Sequence, residues 1–473
     1  MKSDSWDAVV VGAGPNGLAA AITLAQADRS VLVLEQAATL GGGLRSDELA
    51  PGLVRDRCAA VMPFAVGSPY LRSLPLDEHG LQWIHPEIPF THPLDDARVG
   101  VAYRTLDATV DELGIDGRAY RRLVGKSVQQ WDRIAIDLMA PVAHVPRSPL
   151  TLARFVRTGA RSARKLSKFF ANEEAKALLA GTAAHSVLPL DKSFTGAFAM
   201  LFCASAHAGG WPVVRGGSQQ LADAMVSLAR DAGVTFESDS MIRSLEQLPA
   251  HRAALFDVDP VQLLEIAGDA LPTAYREKLK GFRFGPGICK VDHVLAGPVP
   301  WRDHASSRAG TVHVGGTFAE VQEAEAQVAA GEHPDHPFVL VAQQSVVDST
   351  RTPDDRHVLW SYCHVPNGST VDMSDAIEAQ IERFAPGFRD LILERHVTTT
   401  PELQRSNPNY VGGDIGGGSL SLSQMIGRPR VFAPYATPNP AIFLCSASTP
   451  PGGGVHGMAG HNAALAALRK RLR

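Results

Sequence analysis

An apolar run at Asp7–Val11 leads directly into Gly12-Ala13-Gly14-Pro15-Asn16-Gly17, and an alanine-rich stretch then continues to about Ala27. No other part of the chain constrains the fold so tightly. The order reads as strand, glycine turn and helix. Gly12 permits the tight turn, Gly14 lets a pyrophosphate approach the backbone, and Gly17 lets the helix pack closely on the strand. Pro15 and Asn16 form the first helical turn, where a helix N-terminus can receive phosphate oxygens. Ser30–Leu34 supplies a second apolar strand ending in Glu35, 23 residues beyond Gly12, where a carboxylate can hold a ribose diol. Together these residues predict a βαβ unit that binds a dinucleotide.

Composition removes several other classes. With 473 residues, 45% of them hydrophobic and 20% charged, the chain can bury a large core, and a disordered or fibrous protein is excluded. Lys+Arg 45 against Asp+Glu 49 gives a net charge of −4, which provides no argument for nucleic acid. The five cysteines, Cys58, Cys203, Cys289, Cys363 and Cys445, are scattered and odd in number, so neither a disulfide framework nor a zinc site is expected. No HExxH or carboxylate ladder suggests another metal. No apolar stretch reaches the roughly 20 residues of a membrane-spanning helix, and the acids ahead of the first strand do not fit a cleaved signal. A cytoplasmic protein is expected. Thr151–Phe170 interleaves Arg154, Arg157, Arg161, Arg164, Lys165 and Lys168 with Leu152, Phe155, Leu166 and Phe169, which reads as a solvated basic face or as a peripheral contact with an anionic membrane.

Further along, residues 86–205 read as a mostly helical insert, with helical patterns at Val110–Ile134, Thr151–Phe170 and Glu173–Leu179. A helix at Ser218–Ala232 and strands near Val234 and at Ala254–Val258 then rejoin the first unit. Strand-like segments at Ile288–Leu295, Thr311–Gly315, Phe338–Gln343 and His357–His364 alternate with helices at Phe318–Ala330 and Met373–Phe384. They predict a second, mixed sheet with helical cover. Ala441–Cys445 is a last apolar strand, and it leads through Pro450–Gly457 into a helix from Met458 to about Arg471. The end of the chain thus repeats the strand, turn and helix order of its beginning.

That second glycine turn, and Leu40–Ser46 soon after Glu35, favour an extended flavin dinucleotide, which needs backbone contacts at several separated places, over a nicotinamide one. The expected cofactor is FAD. A helix starting at Met458 would aim its positive end at the pyrimidine side of a reduced isoalloxazine. Gly12–Gly17 with Glu35, GGGLRS, GGWPVVRGG, ALFDVDP, NPNYVGGDIGGGS and LCSASTPPGGGVHGMAGHNAA together make most of the chain resemble the phytoene desaturase-like flavoprotein oxidoreductases. The resemblance implies a two-lobed, amine-oxidase-like α/β fold: a Rossmann-like FAD-binding lobe, and a substrate lobe of mixed sheet and helices. The order of segments along the chain divides it into a discontinuous FAD-binding domain, 1–85, 206–260 and 415–473, and a substrate domain with a helical insert, 86–205 and 261–414. The resemblance also implies pyrophosphate contacts at Gly12, Gly14, Pro15, Asn16 and Gly17, with Glu35 on the adenosine ribose. Gly43, Leu44 and Arg45 would meet the ribityl chain or flavin edge, and Gly454, Val455, His456, Gly457 and Met458 the isoalloxazine. Relatives place Gly-Asp after the last strand; here Cys445-Ser446-Ala447-Ser448 stands instead, leaving the ribityl contact to Ser446 or a backbone amide.

For chemistry, Lys290 and Asp292 share one face of a strand by its two-residue period, and they are candidates for a charged pair beside the flavin. His364 ends another strand and His456 lies within the glycine turn; both are candidate bases or donors. Trp211, Arg215, Arg405, Asn409 and Asp414 sit on the links that return toward the nucleotide lobe and read equally as cavity or loop residues. The expected activity is removal of hydride equivalents from an organic, hydrophobic or isoprenoid-like substrate by a dehydrogenase, oxidase or desaturase. With no second complete fingerprint after residue 150, oxygen, a quinone or a separate carrier would reoxidise the flavin. A flavin-dependent isomerase and a flavin-binding interaction protein without turnover are the alternatives.

Overall fold

The computed structural model describes residues 5–352 and 354–473. Its first sheet is five-stranded and wholly parallel, in the order Ile442–Leu444, His251–Phe256, Trp6–Val11, Val31–Leu34 and Thr235–Glu237. Parallel strands covered on both faces must be apolar on both faces, and Val31–Leu34 is buried throughout. Helix Pro15–Ala25 starts with proline, whose missing N–H costs nothing at a first turn, and it packs on the last helix, Met458–Lys470. The two helices cross very closely at Gly460, where a Cβ would fall 1.8 Å from the Asn16 carbonyl oxygen. The beginning and end of the chain are thereby locked together.

The second sheet has seven strands in the order Ile392–Thr398, Gly287–Leu295, His357–Val365, Val339–Ala342, Ala309–Val314, Ile88–Pro93 and Val99–Ala102. All its neighbours are antiparallel except Ala309–Val314 against Ile88–Pro93. The fold is therefore α/β, with a Rossmann-type parallel sheet and a separate mixed sheet. Two strands of the mixed sheet fall where the sequence predicts the start of a helical insert. Pro89 and Pro93 lie within Ile88–Pro93, and proline ordinarily argues against an interior strand. The remainder of that segment is helical, and the single helix expected over Thr151–Phe170 is divided into Pro149–Gly159 and Ala163–Ser167. Phe155, Leu166 and Phe170 from it join the apolar core beneath the mixed sheet, while its six basic residues are exposed. No helix among the described residues is long and apolar enough to cross a membrane.

Candidate functional site

A cavity of about 540 Å³ runs from the first glycine turn, past the last one, to the mixed sheet. At its nucleotide end Gly12 has φ +98°, open to glycine but strained for other residues, and the Gly17 amide donates to Asp257 Oδ2 at 2.9 Å. Glu35 lines the same end. Its Oε2 accepts from the Ala13 amide at 2.8 Å and its Oε1 from the Ala37 amide at 2.9 Å, so the carboxylate is held in place with lone pairs to spare for a diol. Burial, with Glu35 adding to it, pushes the Asp257 carboxyl up to about 7. Asn16 Oδ1 is buried in the cavity wall without a protein partner.

Gly14, Gly43 and Gly454 form a cradle that side chains would fill. A Cβ at these positions would lie 2.8 Å from Asp257 Oδ2, 2.2 Å from Tyr410 Oη and 2.9 Å from the Phe64 ring, respectively. The orphaned Asn16 oxygen, the tethered Glu35 and this cradle fit an extended dinucleotide. Arg45 also lines the cavity, donating to the carbonyls of Ser406 at 2.7 Å and Gly42 at 3.0 Å, and burial lowers its guanidinium from the usual range. Pro15 reaches the wall as well; Gly17 and Leu44 stand behind it, Leu44 in the core.

In the last turn, Gly454, Val455 and His456 line the cavity, whereas Gly457 and Met458 begin the helix behind them. His456 uses both ring nitrogens on the backbone. Nε2 donates to the Gly452 carbonyl at 3.1 Å, and Nδ1 accepts from the Met458 amide at 3.1 Å. Burial lowers this imidazole to about 4, so it is a neutral clamp on the turn. Ser446 and Ser448, just past the last strand, line the wall.

Lys290 and Asp292 do share a face, as their spacing predicts. They form a fully buried ion pair, with Arg55 donating to Asp292 Oδ2 at 3.1 Å and Lys290 Nζ lying 5.6 Å from the Trp360 ring centroid. The pair lies on the same sheet face as its cross-strand neighbours Tyr362 and Trp360; those two line the cavity, and the buried pair beside them does not. Burial lowers the Lys290 ammonium against the pull of Asp292. His364 does not line the cavity either, its Nδ1 bound to Glu325 Oε1 at 2.7 Å. Of the link residues, Trp211 and Asn409 line the cavity, and Asn409 Nδ2 donates to the Asp257 carbonyl at 3.0 Å. Asp414 instead ties down the amides of Gly285, Gly416 and Gly418, while Arg215 and Arg405 point to Gln82 and Glu402 away from the cavity.

Sequence reasoning missed His185, Cys58, Asp257 and Tyr410, which the fold brings to this cavity. Asp257 and Tyr410 had a signal, as members of the segments ALFDVDP and NPNYVGGDIGGGS. Cys58 is paired with Tyr410, and burial raises its thiol.

A parallel dinucleotide-type sheet facing a mixed sheet across one shared cleft is the amine-oxidase-like architecture. Residues 10–74 match the NAD(P)-binding Rossmann-like domain family. Over 98% of its length the chain is 24% identical to the mouse (Mus musculus) pyridine nucleotide-disulfide oxidoreductase domain-containing protein 2, covering 93% of that protein. A match to 4,4'-diapolycopen-4-al dehydrogenase of Metabacillus indicus, 28% identical, spans 26% of each chain. The solved structure of putrescine oxidase bound to putrescine superposes with a TM-score of 0.61 at 19% identity, covering 98% of both chains.

Proposed function

We propose that this protein is an FAD-dependent oxidoreductase that removes hydride equivalents from an uncharged, largely apolar organic molecule. The observation carrying this reading is that the glycine turns at 12–17 and 453–456, at opposite ends of the chain, line one continuous cavity. The oxidoreductase names of the relatives support it, and the partial match to the diapolycopenal dehydrogenase supports a desaturase-like or isoprenoid-like substrate. Glu35 would hold the ribose diol, the backbone amides of the first helix end the pyrophosphate, the Asn16 oxygen a hydroxyl of the cofactor, Arg45 and Gly43 the ribityl side, and Gly454–His456 the ring. When bound, the flavin supplies the hydride acceptor.

The chain's own part is positioning. Beyond the ring site the walls are Phe64, Phe155, Phe202, Trp211, Leu340 and Trp360, which exclude water from a reacting C–H bond. Among the described lining residues the carboxylates are Glu35, Asp257 and Asp259, all at the nucleotide end, so an ammonium substrate finds no counter-ion in the substrate half. Putrescine oxidase is named for a diamine; this compartment favours a neutral molecule instead. Lys290, paired with Asp292, places a fixed buried dipole beside Tyr362 at the edge of that wall. Exposed Leu150, Val156 and Phe169 among exposed arginines and lysines, with Phe155 on the helix of Leu150 and Val156 reaching the cavity, support delivery of such a substrate from an anionic membrane surface.

Purified protein should carry a flavin spectrum, and anaerobic titration with neutral polyenes, long-chain alcohols and aldehydes should bleach it, with oxygen, a quinone or a carrier restoring it. Absence of flavin in the purified protein, with no uptake of added FAD, would reject the reading. Sedimentation with phosphatidylglycerol vesicles, weakened on replacing Arg154, Arg157 and Phe169 together, tests the membrane route.

A further inference from the structure

His185 lies just past the helix Glu173–Ala184 and faces the cavity; among the described lining residues it and His456 are the imidazoles, and His456 is occupied by backbone. Its ring stacks on Phe202 with centroids 4.2 Å apart and meets Trp211 edge-on at 6.3 Å, so its plane is fixed. Its Nε2 lies 3.0 Å from Nε2 of His313, a fully buried residue on the strand Ala309–Val314. Helix and strand approach so closely here that a Cβ on Gly181 would fall 2.7 Å from the His313 ring.

Two facing Nε2 atoms can share one proton, so one ring donates and the other accepts. His313 Nδ1 is buried without a partner, packed among Phe90 and Phe338. A buried N–H left unpaired is rarer than an under-satisfied acceptor. His313 therefore leaves Nδ1 bare, carries its proton on Nε2 and donates to His185 Nε2. The proton of His185 is then on Nδ1, the nitrogen that no protein group among the described residues engages. The other titratable groups around the pair are His92, whose Nε2 is bound to the Gly316 carbonyl with Glu320 beyond it, and His364, bound to Glu325. Burial holds His185 at about 3 and His92 at about 4, so these rings are neutral at ordinary pH.

We propose that His185 is a recognition residue: its neutral ring offers Nδ1–H to an uncharged oxygen, carbonyl or hydroxyl, on an otherwise apolar substrate, and His313 is the positioning residue that selects this tautomer. The assignment rests on the oxidoreductase reading only in calling the compartment a substrate site.

Two measurements on the flavin-loaded protein test it. With histidine labelled by nitrogen-15, the resonance lost in His185→Phe should report a protonated Nδ1 and a bare Nε2, and His313→Phe should abolish that preference. A charged His185, or one protonated on Nε2, overturns the proposal. Separately, quenching of tryptophan fluorescence should show decanal or 1-decanol binding about tenfold more tightly than decane, the worth of one hydrogen bond. The preference should disappear in His185→Phe while decane binding persists, and return in part in His185→Gln, which keeps a neutral donor. An unchanged preference in His185→Phe overturns the proposal. If tautomer and preference appear as expected but no ligand bleaches the flavin, the redox reading fails and this inference stands.

Discussion

The Gly17 amide and the Asp257 carboxylate, 240 residues apart in the chain, are joined at 2.9 Å, so an acid carried by a neighbouring strand caps the helix that opens the dinucleotide turn. A Cβ on Gly17 would fall 2.0 Å from the Gly12 carbonyl, and a Cβ on Gly12 would fall 3.0 Å from the Asp257 carbonyl. Turn, helix and capping acid thus form one interlocked unit, and the acid stands where a pyrophosphate would approach.

Asp257 should make the protein less stable as pH rises. Its folded value of about 7, raised from 3.8, means that the folded state holds the proton more tightly than the unfolded chain. The stabilisation is complete below the unfolded value and is lost as pH climbs through the folded one. Between pH 5 and 8 this group alone amounts to about 2–3 kcal/mol. Asp257→Asn, which keeps an acceptor for Gly17, should show urea midpoints that fall less over that interval. A variant whose midpoints track the wild type would remove Asp257 as the cause.

The parallel sheet and its two glycine turns were legible because each depends on local grammar: apolar runs such as Val31–Leu34, glycines at fixed spacing and Glu35 at the strand end. The hairpin formed by Ile88–Pro93 and Val99–Ala102 was not, since its prolines disguise a strand whose neighbours come from far along the chain. Lys290 and Asp292 were found on one face, but a strand period cannot say that their cross-strand neighbours Trp360 and Tyr362, and not the pair itself, reach the cavity. His185 carries no sequence signal at all. Its role depends on His313, 128 residues away.

Glu35 should govern nucleotide affinity. Glu35→Ala strands the Ala13 and Ala37 amides and removes the acceptors for a ribose diol, so FAD dissociation measured by fluorescence should be at least tenfold weaker. Glu35→Gln keeps one acceptor and should lie between. Wild-type affinity in Glu35→Ala would place the ribose elsewhere.

His456 should destabilise the protein on acidification, opposite in sign to Asp257. Its folded value of about 4 lies below the ordinary 6.5, so its contribution is complete above about 6.5 and is lost as pH falls toward 4. Between pH 7 and 5 the loss is about 2 kcal/mol. His456→Gln should flatten that decline in urea unfolding, and it should also loosen flavin by releasing the Gly452 and Met458 contacts. Retention of the full acid sensitivity would assign it to the other buried imidazoles, His92, His185, His207 and His313.

Replacing one member of the Lys290–Asp292 pair should cost far more than replacing both. Each is almost wholly buried, so Lys290→Met leaves Asp292 with Arg55 as its remaining cation and with Oδ1 already unpartnered. Breaking a buried pair from one side typically costs about 3–5 kcal/mol, whereas removing both charges from a packed interior is often nearly neutral. Lys290→Met combined with Asp292→Leu should therefore recover much of the stability lost by Lys290→Met, though Arg55 then loses one of its two carboxylates and recovery is incomplete. Activity separates the two roles the pair could have. If its charge serves the reaction, the double variant folds and binds flavin but reduces it slowly; if the pair only holds Trp360 and Tyr362 in register, flavin reduction returns together with stability.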